Sequence, residues 1–205
     1  MSLKKNRYKI LYSCALEIAQ RLDTSIGERL INFLEVGTYD GRNAAELAAY
    51  LAKEKDGIVL RYYGFDMWED MTEEIWKVEI SKRRRPPSRE YVAKFLVGKV
   101  GSFQLIQGDT RYTLLAAAIP KVDLIFIDGG HSAETVSSDF AAASGMLEDG
   151  GVIVMDDWYS NRDDVGARVV TDNLAKMNEW VVEVGDDYDK GKDGLQIHQA
   201  KVTRA

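Results

Sequence analysis

A chain of 205 residues, 45% hydrophobic and 29% charged, has the length of one domain and enough apolar mass to bury a core, which excludes a disordered chain. Its formal net charge of −6 argues against broad binding to nucleic acid or an anionic membrane surface, since both need a positive field, and leaves room only for a local basic patch. One cysteine, Cys14, cannot close an internal disulfide, and no apolar run approaches the ~18 residues of a membrane span, so a cytoplasmic protein is expected.

An opening helix is expected over 5–21. Lys4, Lys5 and Arg7 precede a short apolar run, but Glu17, Gln20 and Arg21 follow with no small-residue cleavage site, which separates it from a signal peptide. Cys14 reads there as a small buried residue. Apolar runs then alternate with helical patterns. Strands are expected over 31–36, 58–65, 103–107, 122–127, 151–155, 180–184 and 195–199. Helices are expected over 44–53, 113–118, 134–146 and 164–177. Several strands are apolar on both faces, as strands covered by helices on each side should be. This predicts a single α/β domain over 1–205, doubly wound and Rossmann-like, with a mostly parallel seven-stranded sheet and helices on both faces.

One stretch, 71–99, interrupts the alternation. It carries Lys82-Arg83-Arg84-Arg85 and then Pro86-Pro87-Ser88, and reads as two short helices parted by the prolines. Lying beside the expected crevice, it is a candidate substrate lid, with Arg83 to Arg85 as candidate phosphate ligands. The alternative is a solvated helical hairpin with no role in binding.

The chemistry gathers at the strand ends. Glu35-Val36-Gly37-Thr38-Tyr39-Asp40-Gly41 joins the first strand to a helix, and its glycines allow the backbone to approach a nucleotide-like ligand. A dinucleotide site prefers G-x-G-x-x-G with a pyrophosphate at the helix N-terminus. Two carboxylates, Glu35 and Asp40, oppose a pyrophosphate and suit a ligand bearing an ammonium and a sulfonium, which favours S-adenosylmethionine over NAD. Asp66, with Met67 beside it, ends the second strand where a carboxylate accepts both ribose hydroxyls; helix capping is the alternative. Asp109 and Thr110 follow the third strand, either bordering the adenine or starting a helix. Asp128-Gly129-Gly130-His131 closes the fourth strand and Asp156-Asp157 the fifth. Neighbouring parallel strands end at one rim, so Asp128, Asp156 and Asp157 converge. Three ionised carboxylates together need a proton or a cation, and hard oxygen ligands suit Mg²⁺. Trp68, Trp158 and Tyr159 are candidates to stack on adenine or wall the acceptor site. His198 reads as packing.

These five segments, in this order, resemble the class I S-adenosylmethionine-dependent methyltransferases, and among them the metal-dependent O-methyltransferases. Glu35 to Gly41 is similar to the catechol type, which also has an aromatic residue where other members have the middle glycine. Asp128 to His131 with Asp156-Asp157 is closer to the macrolide-sugar type. The resemblance implies that Glu35, Gly37, Thr38 and Gly41 line the methionine end, Asp66 and Met67 the ribose, and Asp109 and Thr110 the adenine. It further implies that Asp128, Asp156 and Asp157 bind a divalent metal, with Asp128 also at the cofactor, and that His131 is the general base. The lysine of the catechol enzymes is absent at His131, which speaks against a catechol acceptor.

The expected activity is therefore divalent-metal-assisted O-methylation of a small hydroxylated molecule such as a sugar or natural product. Two alternatives stand beside it: a metal-independent transferase on an amine, and a non-catalytic cofactor-binding protein. Homo-oligomerisation stays open.

Overall fold

Two-sided burial along the central strands dictates the layering. Strand β1 (Arg29–Val36) turns Ile31 and Phe33 into one apolar cluster and Leu34 and Val36 into another. Strands β2 (Ile58–Asp66), β4 (Val122–Ile127) and β5 (Leu147–Tyr159) repeat the division, with Leu60 and Tyr62, Leu124 and Phe126, and Val152 and Val154 on the first face. A slip of one residue would exchange the two sets, so burial on both sides pins the register.

The computed structural model describes residues 8–25, 27–80, 85–162, 164–186, 189–190 and 196–205. Helices α1 (Lys9–Arg21), α2 (Arg42–Glu54) and α4 (Arg89–Leu96) cover the first face. Helices α5 (Thr110–Ala116), α6 (Ala133–Ser144) and α7 (Gly166–Leu174) cover the other. Cys14 lies buried in α1, where desolvation pushes its thiol up to about 12.

With β3 (Ser102–Gln107), β6 (Trp180–Val184) and β8 (Gln196–Arg204), the sheet runs β3-β2-β1-β4-β5-β8-β6. It is parallel as far as β5 and antiparallel from there through β8 to β6. A two-residue strand, β7 (Asp189–Lys190), pairs with β8 and raises the count from the expected seven to eight. Strand β8 extends to Arg204, beyond the predicted end at 199, because its later residues pair with both β5 and β6. Connections run in opposite directions from β1 and β4, which makes the gap beyond their carboxyl ends the switch point where such sheets take ligands.

The segment after β2 holds a single turn (Trp68–Asp70), the short helix α3 (Glu73–Ile75), a π-helical turn (Trp76–Ile80) and then α4. Ser88 caps α4 just after the two prolines. Helix α4 buries Val92 and Leu96 and belongs to the sheet's cover, so the part of the 71–99 stretch over the crevice ends near Pro86. The expected Arg83 and Arg84 ligands lie outside the described residues, and Arg85 is paired with Glu73. Among the described residues no helix is long and apolar enough to cross a membrane.

Candidate functional site

A cavity of about 590 Å³ opens at the switch point, lined from the ends of β1, β2 and β4 and from the segment after β2. Its floor depends on Gly37. The residue has φ +88°, and a Cβ there would lie 2.1 Å from the carbonyl oxygen of Asp128, so only glycine lets the β1 loop close against the β4 loop. Tyr39, next in the wall, holds φ +51°, a left-handed conformation that glycine more often supplies. It is fixed there because its amide donates to Asp66 Oδ2 at 2.7 Å.

Asp66 reaches the cavity and ties the loops as well. Its Oδ1 accepts the amide of Trp68 at 3.0 Å, so one side chain both ties the loop and borders the cavity. Burial raises its pKa against the pull of the Trp68, Tyr39 and Met67 amides. Each carboxylate oxygen has a second lone pair for a hydroxyl. Asp66→Asn, which keeps one carbonyl oxygen for the loop, is expected to weaken S-adenosylhomocysteine binding roughly ten- to hundred-fold by calorimetry, the worth of about 1.5–3 kcal/mol in charge-assisted hydrogen bonds. Unchanged affinity would reduce Asp66 to a loop tie.

Several sequence expectations need correction. Glu35 does not line the cavity. It is fully buried, accepting from the Tyr62 hydroxyl at 2.5 Å and the Asn43 amide at 3.1 Å. Desolvation pushes its carboxyl up to about 8 against those two bonds. Asp40 does border the cavity but pairs with Arg42 at 3.3 Å. The charge argument built on these two acids therefore fails at this loop. Gly41 lies behind the wall, capping α2 at φ +74° under Val92 and Leu96. Trp68 is buried and donates to the Tyr39 carbonyl, and Trp158 donates to Thr171 and packs against His198; neither lines the cavity.

The other expected residues meet. Thr38 is on the wall, bonded to the Tyr62 hydroxyl at 2.9 Å, and Met67 lies beside Asp66. Asp109 and Thr110 also line it, though Asp109 additionally caps α5 and forks onto Arg111, which holds its carboxyl below the usual range. Asp128 and His131 line it from the β4 loop, which closes against Gly37. One oxygen from each of Asp128, Asp156 and Asp157 lies within 4.8 Å of the others.

Strand β5 explains how two consecutive aspartates both reach that cluster. Successive residues of a regular strand face opposite ways. Between Met155 and Trp158 the pairing with β8 shifts, three steps on β5 matching two on β8, and Asp157 takes φ +52°. This bulge redirects the pair. Neither Asp156 nor Asp157 lines the cavity; they lie just behind it, at 3% and 7% exposure. His131 links the two, its Nε2 lying 2.7 Å from Asp157 Oδ2.

Sequence reasoning missed several cavity acids, of which Asp139 and Glu79 make the contacts that matter here. Asp139 on α6 is 1% exposed, and burial pushes it up to about 6 against the pull of the Thr110 hydroxyl. Glu79 arrives from the π-helical turn with Met71, Ile75 and Val78 nearby on the wall.

Comparison with known proteins follows the same lines. The family model described as "Methyltransferase domain" matches residues 34–158. No curated protein matches. Among solved structures, the chain is similar to the O-methyltransferase TomG from Streptomyces achromogenes (17% identity, 95% of this chain and 79% of that one, TM-score 0.58). It is also similar to an O-methyltransferase from Bacillus cereus bound to S-adenosylhomocysteine (18%, 95% and 80%, TM-score 0.58). A Clostridium thermocellum protein named as an rRNA-methylase candidate aligns over both whole chains (13%, TM-score 0.64). At these identities the likeness concerns the fold.

Proposed function

Because the chain belongs to the methyltransferase-domain family and is a class I S-adenosylmethionine-dependent methyltransferase, we propose that it O-methylates a small hydroxylated molecule with the help of a divalent cation. The observation that carries this reading is the meeting of Asp128, Asp156 and Asp157 with His131 at one end of the cavity. The cofactor would lie along Gly37, Thr38, Asp66, Met67, Asp109 and Thr110, with Asp128 at its reactive end.

The acidic cluster fits a hard cation such as Mg²⁺. Three carboxylate oxygens within 4.8 Å repel one another unless a proton or a cation is shared, and two of the three acids are already withdrawn from water. When bound, such an ion supplies Lewis-acid charge beside the acceptor hydroxyl. The protein's own groups do the rest. An imidazole that donates through Nε2 to Asp157 keeps its lone pair on Nδ1, and that atom receives the acceptor's proton. Asp157 fixes the tautomer and steadies the imidazolium. Met71, Ile75 and Val78 form an apolar wall that limits water around the reacting pair, the lid role expected of this segment.

The test is methyl transfer from labelled S-adenosylmethionine to 3,4-dihydroxybenzoate and to methyl glycosides, with and without a chelator. Turnover that a chelator abolishes, with S-adenosylhomocysteine binding intact, is the expected result. Full activity in the chelator would overturn the metal reading and favour an amine acceptor held by the same acids. Cofactor binding without turnover on any acceptor would favour the non-catalytic alternative.

A further inference from the structure

Glu79 reaches from the segment after β2 onto the loop that carries His131. Its Oε2 accepts the backbone amides of His131 at 2.8 Å and Ser132 at 2.9 Å. Its Oε1 accepts the hydroxyls of Ser132 at 2.8 Å and Thr135 at 2.9 Å. Burial opposes its charge, yet the Ser132 amide, the two hydroxyls and the His131 amide outweigh that, and its carboxyl lies below the ordinary range. One carboxylate from the segment after β2 thus holds the start of α6 and the residue before it, 52 positions away in the chain.

Gly130 makes room for this contact. Its backbone is not left-handed, so conformation does not demand a glycine there. A Cβ at that position would lie 2.8 Å from Glu79 Oε2 and 2.7 Å from the Thr135 methyl. A side chain at the second glycine of Asp128-Gly129-Gly130-His131 would have to displace the carboxylate or the Thr135 methyl.

We propose that Glu79 is a positioning residue that sets the backbone of His131, and with it the reach of the imidazole, so that the His131 loop is ordered only while the segment over the cavity is docked. This rests on His131 acting as the base in the proposed reaction. The consequence is a coupling between covering the acceptor and presenting the base. Both depend on the π-helical turn, whose Val78 borders the cavity one residue from the carboxylate that holds His131.

Three full-chain variants test it: Glu79→Ala, Glu79→Gln and Gly130→Ala. Glutamine can place its oxygen on the two backbone amides and donate its nitrogen to the two hydroxyls, which also accept. It should therefore rescue what alanine loses. Exchange of the His131 and Ser132 amides, followed by NMR, should speed roughly ten-fold or more in Glu79→Ala and in Gly130→Ala, and stay near wild type in Glu79→Gln. With 3,4-dihydroxybenzoate or a methyl glycoside as acceptor, kcat should fall roughly 10- to 100-fold in the two alanine variants, the cost of misplacing a reacting group by about an ångström. The KM for S-adenosylmethionine should change less than about two-fold, since neither residue is among those placed along the cofactor. Unchanged exchange at His131 in Glu79→Ala would overturn the proposal, as would equal losses in the alanine and glutamine variants. If the wild type transfers no methyl group to any acceptor, the function proposed above fails, while the exchange arm still decides whether Glu79 holds the loop.

Discussion

Replacing His131 with alanine is expected to lower methyl transfer by roughly 10²–10⁴-fold, the usual share of a general base, while S-adenosylhomocysteine still binds. The imidazole lies at the cavity, 39% exposed, with its Nε2 on Asp157 Oδ2 at 2.7 Å. Removing it leaves the loop's own anchors intact, because Glu79 binds the amide of residue 131 and not its ring. The loss should therefore fall on kcat, with little effect on cofactor affinity. His131→Gln is the informative companion, since its amide nitrogen can occupy the Nε2 position and donate to Asp157 but cannot take a proton at neutral pH. Equal losses in the two variants would assign the effect to proton transfer. Recovery in the glutamine variant would assign it to orientation of Asp157. Full activity in both would return His131 to a loop role.

Gly37→Ala is expected to destabilise the fold by about 2–5 kcal/mol, combining left-handed strain with a backbone clash. For a domain of this size that corresponds to a fall in Tm of roughly 4–20 °C. The added Cβ would meet the Asp128 carbonyl oxygen at 2.1 Å, its carbon at 2.6 Å and the Gly129 Cα at 2.7 Å. None of these atoms can swing aside as a flexible side chain can. Gly150→Ala isolates the strain alone: its φ is +77°, but a Cβ there has nothing within 4 Å, so it should cost only about 1–2 kcal/mol. The folded fraction of Gly37→Ala should also bind S-adenosylhomocysteine more weakly, because the β1 and β4 loops forming one side of the cavity would be forced apart. Scanning calorimetry of the two variants decides the matter, and equal Tm values would refute the close-approach argument.

The layered fold could be read from the chain because two-sided burial is local. Leu124-Ile125-Phe126-Ile127 carries both apolar faces in four residues, and a carboxylate directly after such a run must lie at the sheet's rim. That reasoning located Asp66, Asp109 and Asp128 without coordinates. It failed for Glu35, which stands one residue before the end of its strand. There, the neighbours Tyr62 and Asn43 decide whether the side chain faces ligand or core, and they come from another strand and a helix.

What the sequence by itself determined is therefore the order of elements and the rim on which the chemistry gathers. It also anticipated that Asp128, Asp156 and Asp157 converge, while the tertiary structure decided how the two consecutive aspartates both reach that cluster and which other acids are stripped of water. The carboxyl of Glu35 is pushed up because packing strips it of water, a property of its surroundings and not of its type. Asp156 and Asp157 share one cluster because β8 pairs with β5 in a shifted register that turns them together, against the alternation their sequence positions predict. Glu79 reaches His131 from 52 residues away, across a docking surface that no local pattern encodes. Periodicity records the burial of each residue within its own element, whereas these three features arise from contacts between elements, and such contacts exist only once the chain has folded.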